Sequence, residues 1–190
     1  MRPFDFIITF FSFIYALGLT HLLLAATHMI RHRREITFSV PHLLWMLAAL
    51  TLLTANWISL WDFHTFATVA LGTVIMGFVL SVNQYLICSL VTPDVGGEEW
   101  RDLQAFHAKQ SKTYIAAFVT LASLSLVANY VAGNYLSVAN WANENAVVLA
   151  MLPCGVLPLF IRARFVQIVA PLALLVLIVT YLLAYYPLLK

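Results

Sequence analysis

The chain has 190 residues, of which 63% are hydrophobic and only 9% charged, with a formal net charge of +2 and a mean hydropathy of +0.91. A soluble domain is ordinarily about 25% charged and at this size buries only about 70% of its chain surface, so water cannot be the solvent for this much apolar side chain. Disorder, fibrous repeats and a soluble enzyme core are excluded, and the near-neutral balance gives no argument for a nucleic-acid partner.

A transmembrane helix satisfies its backbone internally and needs about 20 apolar residues to cross hydrocarbon. Six such runs follow one another, over 5–29, 43–61, 64–91, 113–132, 141–161 and 165–186. They are continuous and rich in Leu and Ala, unlike the short alternating segments of a β-barrel. The expected fold is therefore all-α: one polytopic domain, a compact bundle of six transmembrane helices. The first run lacks a basic start and a small-residue cleavage site, being followed by HMIRHRRE, and reads as a retained helix.

Eight of the ten basic residues fall in alternate connections. Arg31, Arg33 and Arg34 follow the first run, Arg101, Lys109 and Lys112 the third, and Arg162 and Arg164 the fifth. The positive-inside rule places these connections in the cytoplasm and both termini outside. Between the third and fourth runs, Pro93 and two glycines precede a short amphipathic segment over 98–110. Trp100, Leu103 and Phe106 recur there every third residue, with His107 on the same side, as in a helix lying at the interface. It caps the bundle or docks a cytoplasmic protein.

No Asp, Glu, Lys or Arg lies deep in any run, which argues against buried-carboxylate proton coupling and arginine voltage sensing. Uncharged polar residues form two expected layers. Thr20 and His21 in the first run match Asn83 and Gln84 in the third at similar distance from the cytoplasmic side; Asn56 and Asn129 form an outer pair. Each set reads either as hydrogen-bonded glue between helices or as the lining of a ligand site. His28 and His32, one helical turn apart, are metal-ligand candidates, although the neighbouring arginines oppose a cation. A single haem on His21 is a further option, but the last three runs carry no histidine to pair with it. No GxSxG or HExxH occurs, so an enzyme is disfavoured. Thr73, Gly77 and Ser81 form a small-xxx-small stripe suited to close helix approach within the bundle or across a homodimer. Pro153 and Pro158 interrupt the fifth run.

The opening FDFIITFFSFIYALGLTHLLLAATHMIRHRREITFSVPHLLWMLAAL, with Gly18, Thr20, His21, Trp45, Trp57 and Trp61, resembles a group of small six-helix bacterial membrane proteins without an assigned activity. YLICSLVTPD and DLQAFHAKQSKTY resemble the same group's inner connection. The resemblance implies a six-helix protein of the bacterial inner membrane and no mechanism. The functional expectation is a small channel, transporter or ligand-binding membrane protein with its polar site at Thr20, His21, Asn83 and Gln84. A non-catalytic scaffold or sensor partner is the alternative, and a single-haem redox protein a minor one. Membrane lipids are the partners the composition requires.

Overall fold

A computed structural model describes residues 3–65, 69–94, 99–133 and 135–186. Among these, seven α-helices follow one another: α1 Pro3–Arg31, α2 Val40–Ser59, α3 Leu71–Val91, α4 Leu103–Ala132, α5 Val138–Glu144, α6 Ala146–Phe160 and α7 Arg164–Tyr185. Five of them (α1, α2, α3, α4 and α7) are long and apolar enough to cross a membrane; α5 and α6, bent by 74° at their junction, make a sixth span if taken together. The chain is thus all-helical, with the character of a multi-pass membrane protein.

The helix directions follow from named contacts. Phe11 packs on Gly77, and Tyr15 bonds Ser81, so α1 and α3 run side by side in the same direction. Trp57 Nε1 donates to Ser12 Oγ (3.3 Å) and Gly18 packs on Leu53, so α2 returns between them in sequence. The ring of Trp45 stands 5.0 Å from that of Phe118, setting α4 parallel to α2, and Val119 against Gly155 brings α6 back along α4. Helix α2 touches α1, α3, α4 and α7, and Trp45, Ala48 and Ala49 on it are fully buried. The end of the bundle where α1, α3 and α6 finish carries the basic connections, and is called the basic end below.

Three expected boundaries are corrected. The third helix starts at Leu71, not at His64. His64 belongs to a 3-10 turn, Leu60–Thr65, where its ring stacks on Trp61 at 4.7 Å. The separate segment over 98–110 does not form: Glu98 lies outside the described residues, Glu99–Arg101 is a 3-10 turn, and α4 runs unbroken from Leu103 to Ala132. No Pro or Gly separates the amphipathic stretch from the apolar run, so nothing interrupts propagation of the helix. Asp102 starts it, its Oδ1 accepting from the backbone N–H of Gln104 (2.9 Å) and Ala105 (3.0 Å). The fifth run is not one straight helix. It breaks at Asn145, and α6 alone rises only about 22 Å, short of a hydrocarbon core of about 30 Å.

The small-residue stripe is engaged within the chain. A Cβ on Gly77 would stand 2.8 Å from Phe11 Cε2, and Ser81 is buried beside Tyr15, so α1 approaches α3 closely at two of the three positions. At the basic end, Thr37 pairs with the backbone beside Asp102: Thr37 N donates to Arg101 O (2.8 Å) and Leu103 N to Thr37 O (3.0 Å). This short ladder fastens the first basic connection to the start of α4. At the other end, the Tyr186 hydroxyl donates to the Asp62 carboxylate, joining the ends of α2 and α7. Burial and that bond together push the Tyr186 phenol well above its usual range.

Candidate functional site

The four residues expected to share one inner site do not meet. Thr20 is exposed and its hydroxyl donates to Ala16 O of its own helix (2.8 Å). His21 faces α3, with Nε2 3.3 Å from Tyr85 Oη. Asn83 lines a groove between α3 and α4 with Val82, Leu86, Ala117 and Thr120. Gln84 is fully buried; its Oε1 accepts from Asn56 Nδ2 (2.8 Å), and its Nε2 stands 3.6 Å from Cys88 Sγ. Successive helical residues point about 100° apart, and here Thr20 and His21, like Asn83 and Gln84, take different neighbours.

The outer pair is corrected as well. Asn56 bonds Gln84, and Asn129 Nδ2 instead donates to Asn145 Oδ1 (2.6 Å). Asn145 Nδ2 donates in turn to Trp141 O (2.9 Å), so Asn129 ties α4 to the break between α5 and α6. The histidine pair at the end of α1 does come together: the rings of His28 and His32 lie 4.3 Å apart, both against Trp100. His32 Nδ1 is used on His28 O (3.1 Å), and among the described residues no third His, Cys, Asp or Glu joins them as a metal set.

The polar group that does assemble lies at the basic end, on α2, α4 and α7. The pairing of Asn56 with Gln84 fixes why. Val40 starts α2 sixteen residues before Asn56, about 24 Å, whereas Val91 ends α3 seven residues after Gln84, about 10 Å. Helix α2 therefore overhangs α3 by about 14 Å, and the first turns of α4 fill the space beside the overhang. His42 and Trp45, three apart on α2, and His107 and Tyr114, seven apart on α4, meet there. The His42 ring stands 5.1 Å from Phe106 and 6.2 Å from Tyr114; Trp45 is 6.2 Å from Tyr114. The Tyr114 hydroxyl and His107 Nδ1 share a hydrogen bond. The other flank of His107 faces Gln167 of α7. Gln167 Nε2 donates to Pro158 O (2.9 Å) and Ile161 O (3.0 Å), carbonyls at the end of α6 that have no helical donor ahead of them.

This cluster is buried but not internally satisfied. His42 is 0% exposed, yet neither ring nitrogen has a hydrogen-bond partner in the protein, and the same holds for Trp45 Nε1, whereas Gln167 Oε1 faces the His107 ring. Buried polar atoms are nearly always paired, and each one left unpaired costs about 1–3 kcal/mol. A neutral imidazole offers one donor and one acceptor, the indole a donor and the amide oxygen an acceptor. Lys109 and Lys112 are exposed, Lys109 being paired with Glu99 at 3.0 Å, so neither brings a cation into the cluster. His107 is half-buried and opens the cluster toward the basic end. Trp100, Leu103 and Phe106 are buried in the chain's own core, so the apolar side of the expected docking segment is already covered. The i, i+3 and i, i+7 spacings of these residues were visible in the sequence; the overhang that brings them together was not.

No family model, curated protein or solved structure matches this chain.

Proposed function

We propose that the protein is a bacterial inner-membrane protein that binds, and passes, a small uncharged hydrogen-bonding solute at the cluster of His42, Trp45, His107, Tyr114 and Gln167. In this reading the basic end faces the cytoplasm and both termini lie outside. One observation carries the proposal: a fully buried histidine with two unpartnered ring nitrogens, beside an unpartnered indole N–H. Two donors and one acceptor held in a water-poor setting suit a molecule that itself carries both kinds of group, such as an amide or a polyol. The half-buried His107 is the entrance from the cytoplasmic side. The polar pairs farther along, His21 with Tyr85 and Asn56 with Gln84, stand between this cluster and the outer end. The test uses proteoliposomes under gradients of urea, acetamide and glycerol, followed by light scattering, with Trp fluorescence of the detergent-solubilised protein as the binding readout. A solute whose flux or binding disappears in His42→Phe supports the reading. A panel with neither flux nor binding dependent on His42 rejects it in favour of a scaffold.

A further inference from the structure

A second feature, independent of that cluster, lies on the face of the bundle between α1 and α2. Leu22, Leu23, Ala26, Met29 and Ile30 of α1 oppose Leu43, Met46, Leu47 and Leu50 of α2 across a cavity of about 410 Å³. Its walls are apolar throughout. Phe38 and Arg33, from the connection between the two helices, close it at the basic end. Arg33 is exposed and stands between two further exposed arginines in sequence, Arg31 and Arg34. Among the described residues, the one ion pair at this end is Lys109 with Glu99, which leaves the guanidinium of Arg33 without a carboxylate partner.

Two properties of the cavity identify an occupant. The first is length. From Leu22 to Ile30 the α1 wall rises about 12 Å, and Arg33 lies one step beyond, at the depth where a single leaflet of about 15 Å meets its headgroups. The second is charge. An apolar channel one leaflet long that ends on an unpaired cation is complementary to an acyl chain carrying an anionic head. A peptide helix would need a wider groove and a second polar rim; a free anion would leave the apolar walls bare.

We infer that the α1–α2 cavity is a binding site for one acyl chain of an anionic phospholipid, with the phosphate on Arg33. The arginine supplies a planar donor fork that matches phosphate oxygens, and the walls hold the chain by apolar contact. Phe38 rests on the first methylenes below the head. The lipid then bridges α1 and α2 at the end where α2 overhangs.

The experiment is retention of lipid by the whole protein. The protein is reconstituted in nanodiscs of equal parts phosphatidylglycerol and phosphatidylcholine, released in the mass spectrometer, and the lipids that remain bound are counted. The wild type retains phosphatidylglycerol preferentially. Arg33→Gln lowers that preference about fivefold, the factor that one basic residue contributes at an anionic surface. Arg162→Gln, at the same end but away from the cavity, leaves it unchanged. Ala26→Phe fills the channel and removes the retained lipid. Equal retention of the two lipids by the wild type overturns the inference. So does an equal loss in Arg33→Gln and Arg162→Gln, which marks a diffuse electrostatic surface. Arg33 is exposed, so its variant reports on binding even if Ala26→Phe fails to fold.

Discussion

Replacing His42 by Phe tests the physical core of the site. The imidazole is completely enclosed, and its two nitrogens have no partner in the protein. Each unpaired buried group costs about 1–3 kcal/mol, whereas an apolar group of similar shape carries no such cost. A phenyl ring keeps the edge contact to Phe106, whose centroid stands 5.1 Å away. Its slightly larger volume returns about 1 kcal/mol as overpacking. For two nitrogens the net expectation is a gain of about 1–5 kcal/mol, or roughly 2–20 °C in Tm for a chain of this length. The assay is thermal unfolding in detergent followed by near-ultraviolet circular dichroism. A variant that is more stable but has lost solute flux is the signature of a site that gives up stability for function. A fall in Tm of similar size refutes the reasoning, because it means that the ring nitrogens are satisfied in the folded protein.

Three other experiments probe the packing that positions the cluster. Gly77→Leu drives a side chain into Phe11, 2.8 Å from where the Cβ would sit, and lowers Tm by separating α1 from α3; in Gly77→Ala, about 1 kcal/mol of helix propensity offsets much of the milder clash. A double-mutant cycle on Asn56→Leu and Gln84→Leu, read by unfolding free energy, gives a coupling of about 0.5–1.5 kcal/mol, as expected for one interhelical hydrogen bond in a membrane; a coupling near zero means the pair does not set the register of α2 on α3. Gln167→Leu frees the carbonyls of Pro158 and Ile161 and lowers stability by about 1–3 kcal/mol; parity of Gln167→Leu with the wild type contradicts the donor role.

The amino-acid sequence by itself determined that the chain is helical and membrane-spanning, and where most of its spans lie. Hydropathy over about 20 residues is a local sum, and the requirement that the backbone satisfy itself in lipid leaves the helix as the answer for runs such as 165–186, against Arg164–Tyr185 in the structure. The grouping of basic residues in alternate connections was likewise a local fact. Local signals were weaker at breaks. Asn145 bends the fifth run through an interaction with Asn129 sixteen residues away, and the join between the amphipathic and apolar parts of α4 depended on the absence of a breaker.

The tertiary structure alone decided which polar groups meet. Asn56 and Gln84 were expected at different depths, because each was placed by counting from its own end of its own helix. Counting assumes that helices start level, and here α2 begins about 14 Å beyond the end of α3. That axial offset, set by packing such as Phe11 on Gly77 and Gly18 on Leu53, turned an expected outer-layer residue into the partner of Gln84. It also put His42, near the start of α2, into full burial against Phe106 and Tyr114 of α4. Depth along one helix is written in the sequence. Rotation and offset between two helices are sums over contacts distant in the chain, and they enclosed the unpartnered nitrogens of His42 beside Phe106 and Tyr114.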